Sequence, residues 1–225
     1  MSFLIRAGAV FRKDLLIEAR NRQALNSMVF FAGAVLLVLG IATGPEASAV
    51  QQAAPGLLWI ALVFTAVLGL GRIFDSEREN RGMEGLFLYP GDRRAVFLGK
   101  YAALAVILLA AETVLVALAA FLYNLNIWPV LPQMAGVALL GTLGLAGIGT
   151  LYGALTLNLR AREVLLPLLV FPLVVPLVLA SVASTRLLLE GDTFGELGGW
   201  IRLLVSFAIV FTIAPLLAFE RVLAE

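Results

Sequence analysis

Neither cysteine nor histidine occurs anywhere in the 225 residues. Without Cys there is no disulfide, no thiol nucleophile and no thiolate ligand. Without His as well, the usual zinc sites and the side chain most used for proton transfer near neutral pH are gone. Charge is also scarce. Asp, Glu, Lys and Arg together make up 14% of the chain, against about 25% in soluble domains. The phosphate-cradling pattern GxxxxGK[ST] is missing, so any nucleotide hydrolysis belongs to another chain. No apolar run carries the repeated charges of a voltage sensor or proton relay. What remains is hydrocarbon. Apolar residues reach 61%, and mean hydropathy is +1.00. No soluble core of this length needs so much, so the expected solvent for most of the chain is lipid. The net charge of +1 gives no basis for a nucleic-acid partner, and none is expected.

A membrane span needs about 20 apolar residues. Six runs meet or approach that length, at 25–43, 56–72, 101–123, 133–157, 164–185 and 201–219. The expected fold is therefore all-α and integral to the membrane, one transmembrane domain over 1–225. Ala47-Ser48-Ala49 after the first run resembles a signal-peptidase site. The long patterned segment before it and the further spans after it favour a retained span instead. Within residues 1–22, Arg6, Lys13 and Arg20 recur every seven residues and share one helical face. Leu4, Phe11 and Leu15 share another. This pattern suits an amphipathic helix in the headgroup layer, its cations toward anionic lipid.

Lys and Arg in the connections set orientation. The N-terminal segment, the connections after the second and fourth runs, and the C-terminus hold fourteen of them. The alternate side holds two, Arg186 and Arg202. Both termini and the 72–100 segment are accordingly expected in the cytoplasm, with the protein in the cytoplasmic (inner) membrane.

Residues 72–100 form the longest polar stretch. Asp75, Glu77, Arg78, Glu79 and Arg81 can face water while Phe74, Leu86, Phe87 and Leu88 lie against a surface. No Pro interrupts Phe74 to Leu88, and Tyr89-Pro90-Gly91-Asp92 reads as a turn. The expectation is a short helix parallel to the membrane, shown to a partner. Glu112 lies midway along the third run. A carboxylate there costs about 2.5–3.5 kcal/mol against lipid. It is expected to face the bundle, a cavity or another subunit, and its partner to be a hydroxyl, a backbone group, water or a different protein. The fourth run holds Gly136, Gly141, Gly144, Gly147, Gly149 and Gly153, the last two a GxxxG pair that permits close helix approach. The fifth holds Pro167, Pro172 and Pro176, each lacking a backbone donor. That helix is expected to be kinked or locally broken.

Several of these stretches, taken together, resemble the heme exporter protein B (CcmB) family. They are Thr43-Gly44-Pro45-Glu46, the run from Ala54-Pro55-Gly56 to Ile60, and Arg72-Ile73-Phe74 with Asp75, Glu77, Gly82, Glu84 and Leu86. The Pro-interrupted run from Leu169 to Leu177 joins them. Length and six-span layout agree over the whole chain. Where the family carries Asp-Gly, this chain has Arg81-Gly82, which keeps the glycine and reverses the neighbouring charge. The resemblance implies the permease subunit of an ABC transporter in cytochrome c maturation. It implies as partners the ATPase CcmA, the heme-handling proteins CcmC and CcmD, and the downstream heme chaperone CcmE, with this chain as a homodimer. It turns residues 75–89 into a coupling helix. Asp75, Glu77, Arg78, Glu79, Arg81, Gly82, Glu84, Leu86 and Phe87 then become the candidate ATPase contacts. Heme iron is usually held by His, Cys, Met or Tyr, and the first two are absent. Heme is therefore expected as a handled ligand, with no cofactor bound by this chain. Rival readings are a permease exporting a lipid, drug or glycan, and a scaffold subunit that only relays ATPase motion.

Overall fold

The computed structural model describes residues 3–21, 23–44, 46–73, 94–156 and 162–222. Among them are seven α-helices, one 3-10 turn and no strand. The helices are α1 (Phe3–Asn21), α2 (Gln23–Ala42), α3 (Ala47–Ile73), α4 (Arg94–Leu122), α5 (Leu131–Leu155), α6 (Arg162–Glu190) and α7 (Leu197–Val222). The 3-10 turn, Trp128–Val130, leads into α5. Helices α2 to α7 are each long and apolar enough to cross a membrane. All six expected spans are present.

Two boundaries differ most from expectation. The helix of the second span starts at Ala47, not near residue 56, and passes through Pro55. Ser48, Gln51 and Gln52 lower the hydropathy there without disturbing the helix, and Ala47-Ser48-Ala49 is its first turn. The third span starts at Arg94, seven residues before Tyr101. At 1.5 Å per residue, the 29 residues of α4 extend about 43 Å, beyond a hydrocarbon layer of about 30 Å. The excess length is accommodated by tilt or by polar first turns that extend past the apolar layer. Helix α6 is equally long and stays helical from Arg162 to Glu190, through Pro167, Pro172 and Pro176. A local break is not found there. Each proline deletes one backbone bond, and a membrane helix tolerates such losses where its neighbours cover the freed carbonyls.

Lipid cannot drive apolar surfaces together, so span packing relies on close fit and small residues. Helix α5 supplies the closest fit and packs on α3, α4, α6 and α7. Its Gly141 lies under the Trp59 ring of α3 and beside Ser181 of α6. Gly144 lies against Leu177 of α6, and Gly147 against the backbone of Phe211 in α7. The steric seam thus runs at three-residue spacing through 141, 144 and 147. Gly149 and Gly153, the GxxxG pair, are buried on the same helix. Helix α2 sits at the side of the bundle with Phe30 80% exposed, as a lipid-facing surface must be.

The turn between α2 and α3 and the end of α4 are pinned together by Tyr123. Its hydroxyl donates to the Leu36 carbonyl at 2.7 Å, and its ring covers Gly40. Gln51 donates to the carbonyls of Tyr123 and Asn124 at 3.4 and 3.2 Å. Asn124, at φ +52°, makes the left-handed turn that lets the chain leave α4.

Candidate functional site

The proposed ATPase contacts Asp75, Glu77, Arg78, Glu79, Arg81, Gly82, Glu84, Leu86 and Phe87 lie outside the described residues. The described chain brackets them: α3 ends at Ile73 and α4 begins at Arg94.

Glu112 is where its cost required it to be. It is 3% exposed, on the face of α4 that meets α5. Its Oε2 accepts a hydrogen bond from the Thr142 hydroxyl at 2.6 Å. Thr142 is itself fully buried. A hydroxyl on a neighbouring helix is among the partners that a mid-span acid can have. Glu112 also borders an apolar cleft of about 320 Å³ between α4 and α5, which the 3-10 turn closes at one end.

The opposite end of α4 holds a group that sequence reasoning misses. Lys100 is 1% exposed, and its Nζ lies 3.3 Å from Asp14 Oδ2 of α1, itself 6% exposed. Lys13 Nζ lies 3.2 Å from the other oxygen of Asp14. Helix α1 packs along the start of α4 through Ala7, Val10 and Asp14. Gly99 makes that approach possible, because a Cβ there would stand 2.7 Å from the Ala7 carbonyl oxygen. The helical spacing of 7, 10 and 14 is a signal the sequence contains. The recurrence of Arg6, Lys13 and Arg20 points to another face and obscures it. By polarity alone Lys100 belongs to a loop, yet it is the seventh residue of a helix.

A second buried polar link crosses the bundle centre. Trp59 Nε1 donates to Thr185 Oγ1 at 3.0 Å. Thr185 and Ser181 in turn donate to carbonyls four residues back in α6. Those bonds satisfy hydroxyls that lipid would not. Among the described residues no group of three or more Asp, Glu, His or Cys could hold a metal ion.

Fold and site together define a polytopic helical membrane protein with an N-terminal helix clamped to one end of a six-span bundle. The family profile described as CcmB protein matches residues 5–223, which takes in all seven helices. The chain belongs to the CcmB family. It is 30% identical to heme exporter protein B of Pseudomonas aeruginosa over 208 residues, 89% of either chain. It is 32% identical to that of Haemophilus influenzae over 173 residues, 76% of either chain. Against that of Escherichia coli K12 it is 31% identical over 179 residues, 78% of this chain and 79% of the other.

Proposed function

We propose that this chain is the membrane permease subunit of a heme-handling ABC transporter. It works as a homodimer in the cytoplasmic membrane with an ATPase subunit of the CcmA type, beside CcmC and CcmD. ATP hydrolysis in the partner drives delivery or release of heme-loaded CcmE on the outer side. The observation that carries this reading is a family match that runs through all six spans. The absence of a phosphate-binding loop supports it, because a permease leaves hydrolysis to its partner. So does the polar segment 74–93, set between two spans and rich in both signs of charge. Heme enters as cargo, which the missing His and Cys do not oppose.

The test reverses Glu77 and Glu84 to Lys. Like charges facing each other at a polar interface weaken and misdirect association. The double variant is expected to insert and accumulate normally, yet to lose co-purification of the ATPase and, with it, delivery or release of the heme-loaded chaperone. Full ATPase recovery and turnover would remove residues 75–89 as the docking element. The connection at Arg160-Ala161-Arg162-Glu163 would then be the next to test. Loss of the ATPase with delivery and release of the heme-loaded chaperone unchanged would refute the coupling of hydrolysis to heme handling.

A further inference from the structure

We infer that the cleft between α4 and α5 is a binding site for a bilayer-dissolved amphiphile. Its head is a hydrogen-bond donor that carries no negative charge. Three elements build the cleft. Leu109, Glu112 and Ala117 come from α4; Met134 and Ala135 come from α5; Trp128 of the 3-10 turn closes one end. Apart from Glu112 and Thr113 this lining is apolar. A volume of about 320 Å³ falls at the low end of small-ligand pockets, which run from roughly 300 to 1,000 Å³.

Size decides between a small molecule and a partner helix. Lining residues on α4 span 109 to 117, a length of about 12 Å at 1.5 Å per residue. A transmembrane helix is about 30 Å long, and Trp128, 77% exposed, stands across its path. The cleft therefore suits a head group with a short length of chain. Chemistry then selects the head. An ionised carboxyl accepts through about four lone-pair sites, and a protonated one keeps acceptor capacity beside its single O–H; Thr142 occupies one acceptor site. The remaining capacity borders an apolar cavity, where an incoming hydroxyl or amine forms a bond stronger than in water. Among the described residues, no Lys or Arg lines the cleft. A carboxylate or phosphate head would lose its hydration beside another acid with nothing to compensate. Entry is lateral, since Thr113, Ala117, Leu131 and Ala135 are exposed on the outer surface of these two helices.

The experiment uses the full chain in nanodiscs and four nitroxide-labelled probes with the same C18 chain: amine, alcohol, methyl ester and carboxylic acid. Quenching of Trp128 is read as the difference between wild type and Trp128→Phe, which subtracts Trp59 and Trp200. Amine and alcohol are expected to quench at about fivefold lower mole fraction than ester and acid, the worth of one hydrogen bond. Glu112→Gln keeps an acceptor and is expected to keep the alcohol preference. Glu112→Leu is expected to erase all differences among the probes. Equal quenching by all four in wild type, or a preference that survives Glu112→Leu, overturns the proposal and leaves an ordinary lipid-facing groove. Trp128 shielded from every probe once the ATPase and other subunits are assembled also overturns it, in favour of a subunit interface. None of these readings requires heme transport, so the site stands or falls apart from the proposed function.

Discussion

Asp14 and Lys100 are separated by 86 residues in the chain and by 3.3 Å in the fold. Burying both charges is costly, and their attraction repays that cost only with good geometry and further bonds. Lys13 supplies one further contact on the Asp14 carboxylate. The pair matters most when one member is lost. Lys100→Ala leaves a buried carboxylate beside the half-exposed Lys13, and Asp14→Ala leaves a buried ammonium without that carboxylate. Losses of this kind run to about 3–5 kcal/mol. Each single change is expected to lower the unfolding midpoint in detergent sharply. The double change Asp14→Leu with Lys100→Met is expected to recover most of it, because neither member of the pair is then left buried without the other. A double variant no more stable than the worse single one would mean that the ion pair itself, not its completeness, holds α1 in place. This contact is not legible in the sequence. Charge pairing across 86 residues has no local pattern. By contrast, the burial of Glu112 is legible, with a hydroxyl among its few possible partners, because an acid at mid-span has little else to turn to.

At the scale of elements, the spans are legible because hydrocarbon length is set by the bilayer and not by tertiary detail. Their ends are less so. Gln51 and Gln52 mask the first turns of α3, and Arg94 and Lys100 mask those of α4. Polar residues near a span end say nothing about whether the backbone stays helical. Glycine content marks α5 as a packing helix, but which glycines matter depends on neighbours that only the fold supplies. Gly147 faces backbone: a Cβ would stand 2.6 Å from the Phe211 carbonyl oxygen, which cannot swing away. Gly144 faces the tip of Leu177, which can rotate. At Gly136 a Cβ meets nothing within 4 Å. Replacement by Ala is therefore expected to destabilise in the order 147, then 144, with 136 near neutral. Overpacking typically costs about 1–3 kcal/mol, so position 147 should fall in that range. Unfolding midpoints in one detergent check the order, and equal midpoints at 136 and 147 would refute the close approach of α5 to α7.

For the whole molecule, the distribution of charge and the direction of the helices make one joint statement. Six consecutive spans put the end holding α1, the end of α3 and the start of α4 on one side. The short turns around Gly44, Asn124 and Gly191–Glu196 lie on the other. By sequence, the N-terminal segment, the connections that start and finish at the first side and the C-terminus carry fourteen Lys and Arg and the rest of the chain two, and basic residues favour the cytoplasm. The first side is therefore expected to face the cytoplasm. A cysteine-free chain makes this directly measurable, since each introduced Cys is the sole thiol. Asp192 is exposed beyond the end of α6, and its carboxylate caps the start of α7 by accepting from the amides of Glu196 and Leu197 at 2.8 and 3.2 Å. Cys at Glu196, next to that cap and also exposed, disturbs it less than Cys at Asp192 itself. An impermeant maleimide is expected to label position 196 in intact cells, and position 79 only after the membrane is opened. Labelling of 79 but not 196 in intact cells would invert the protein. It would also remove the proposed ATPase contact, because an ATPase in the cytoplasm could then reach neither Glu77 nor Glu84. The orientation experiment thus bears on the coupling segment before any variant of it is made.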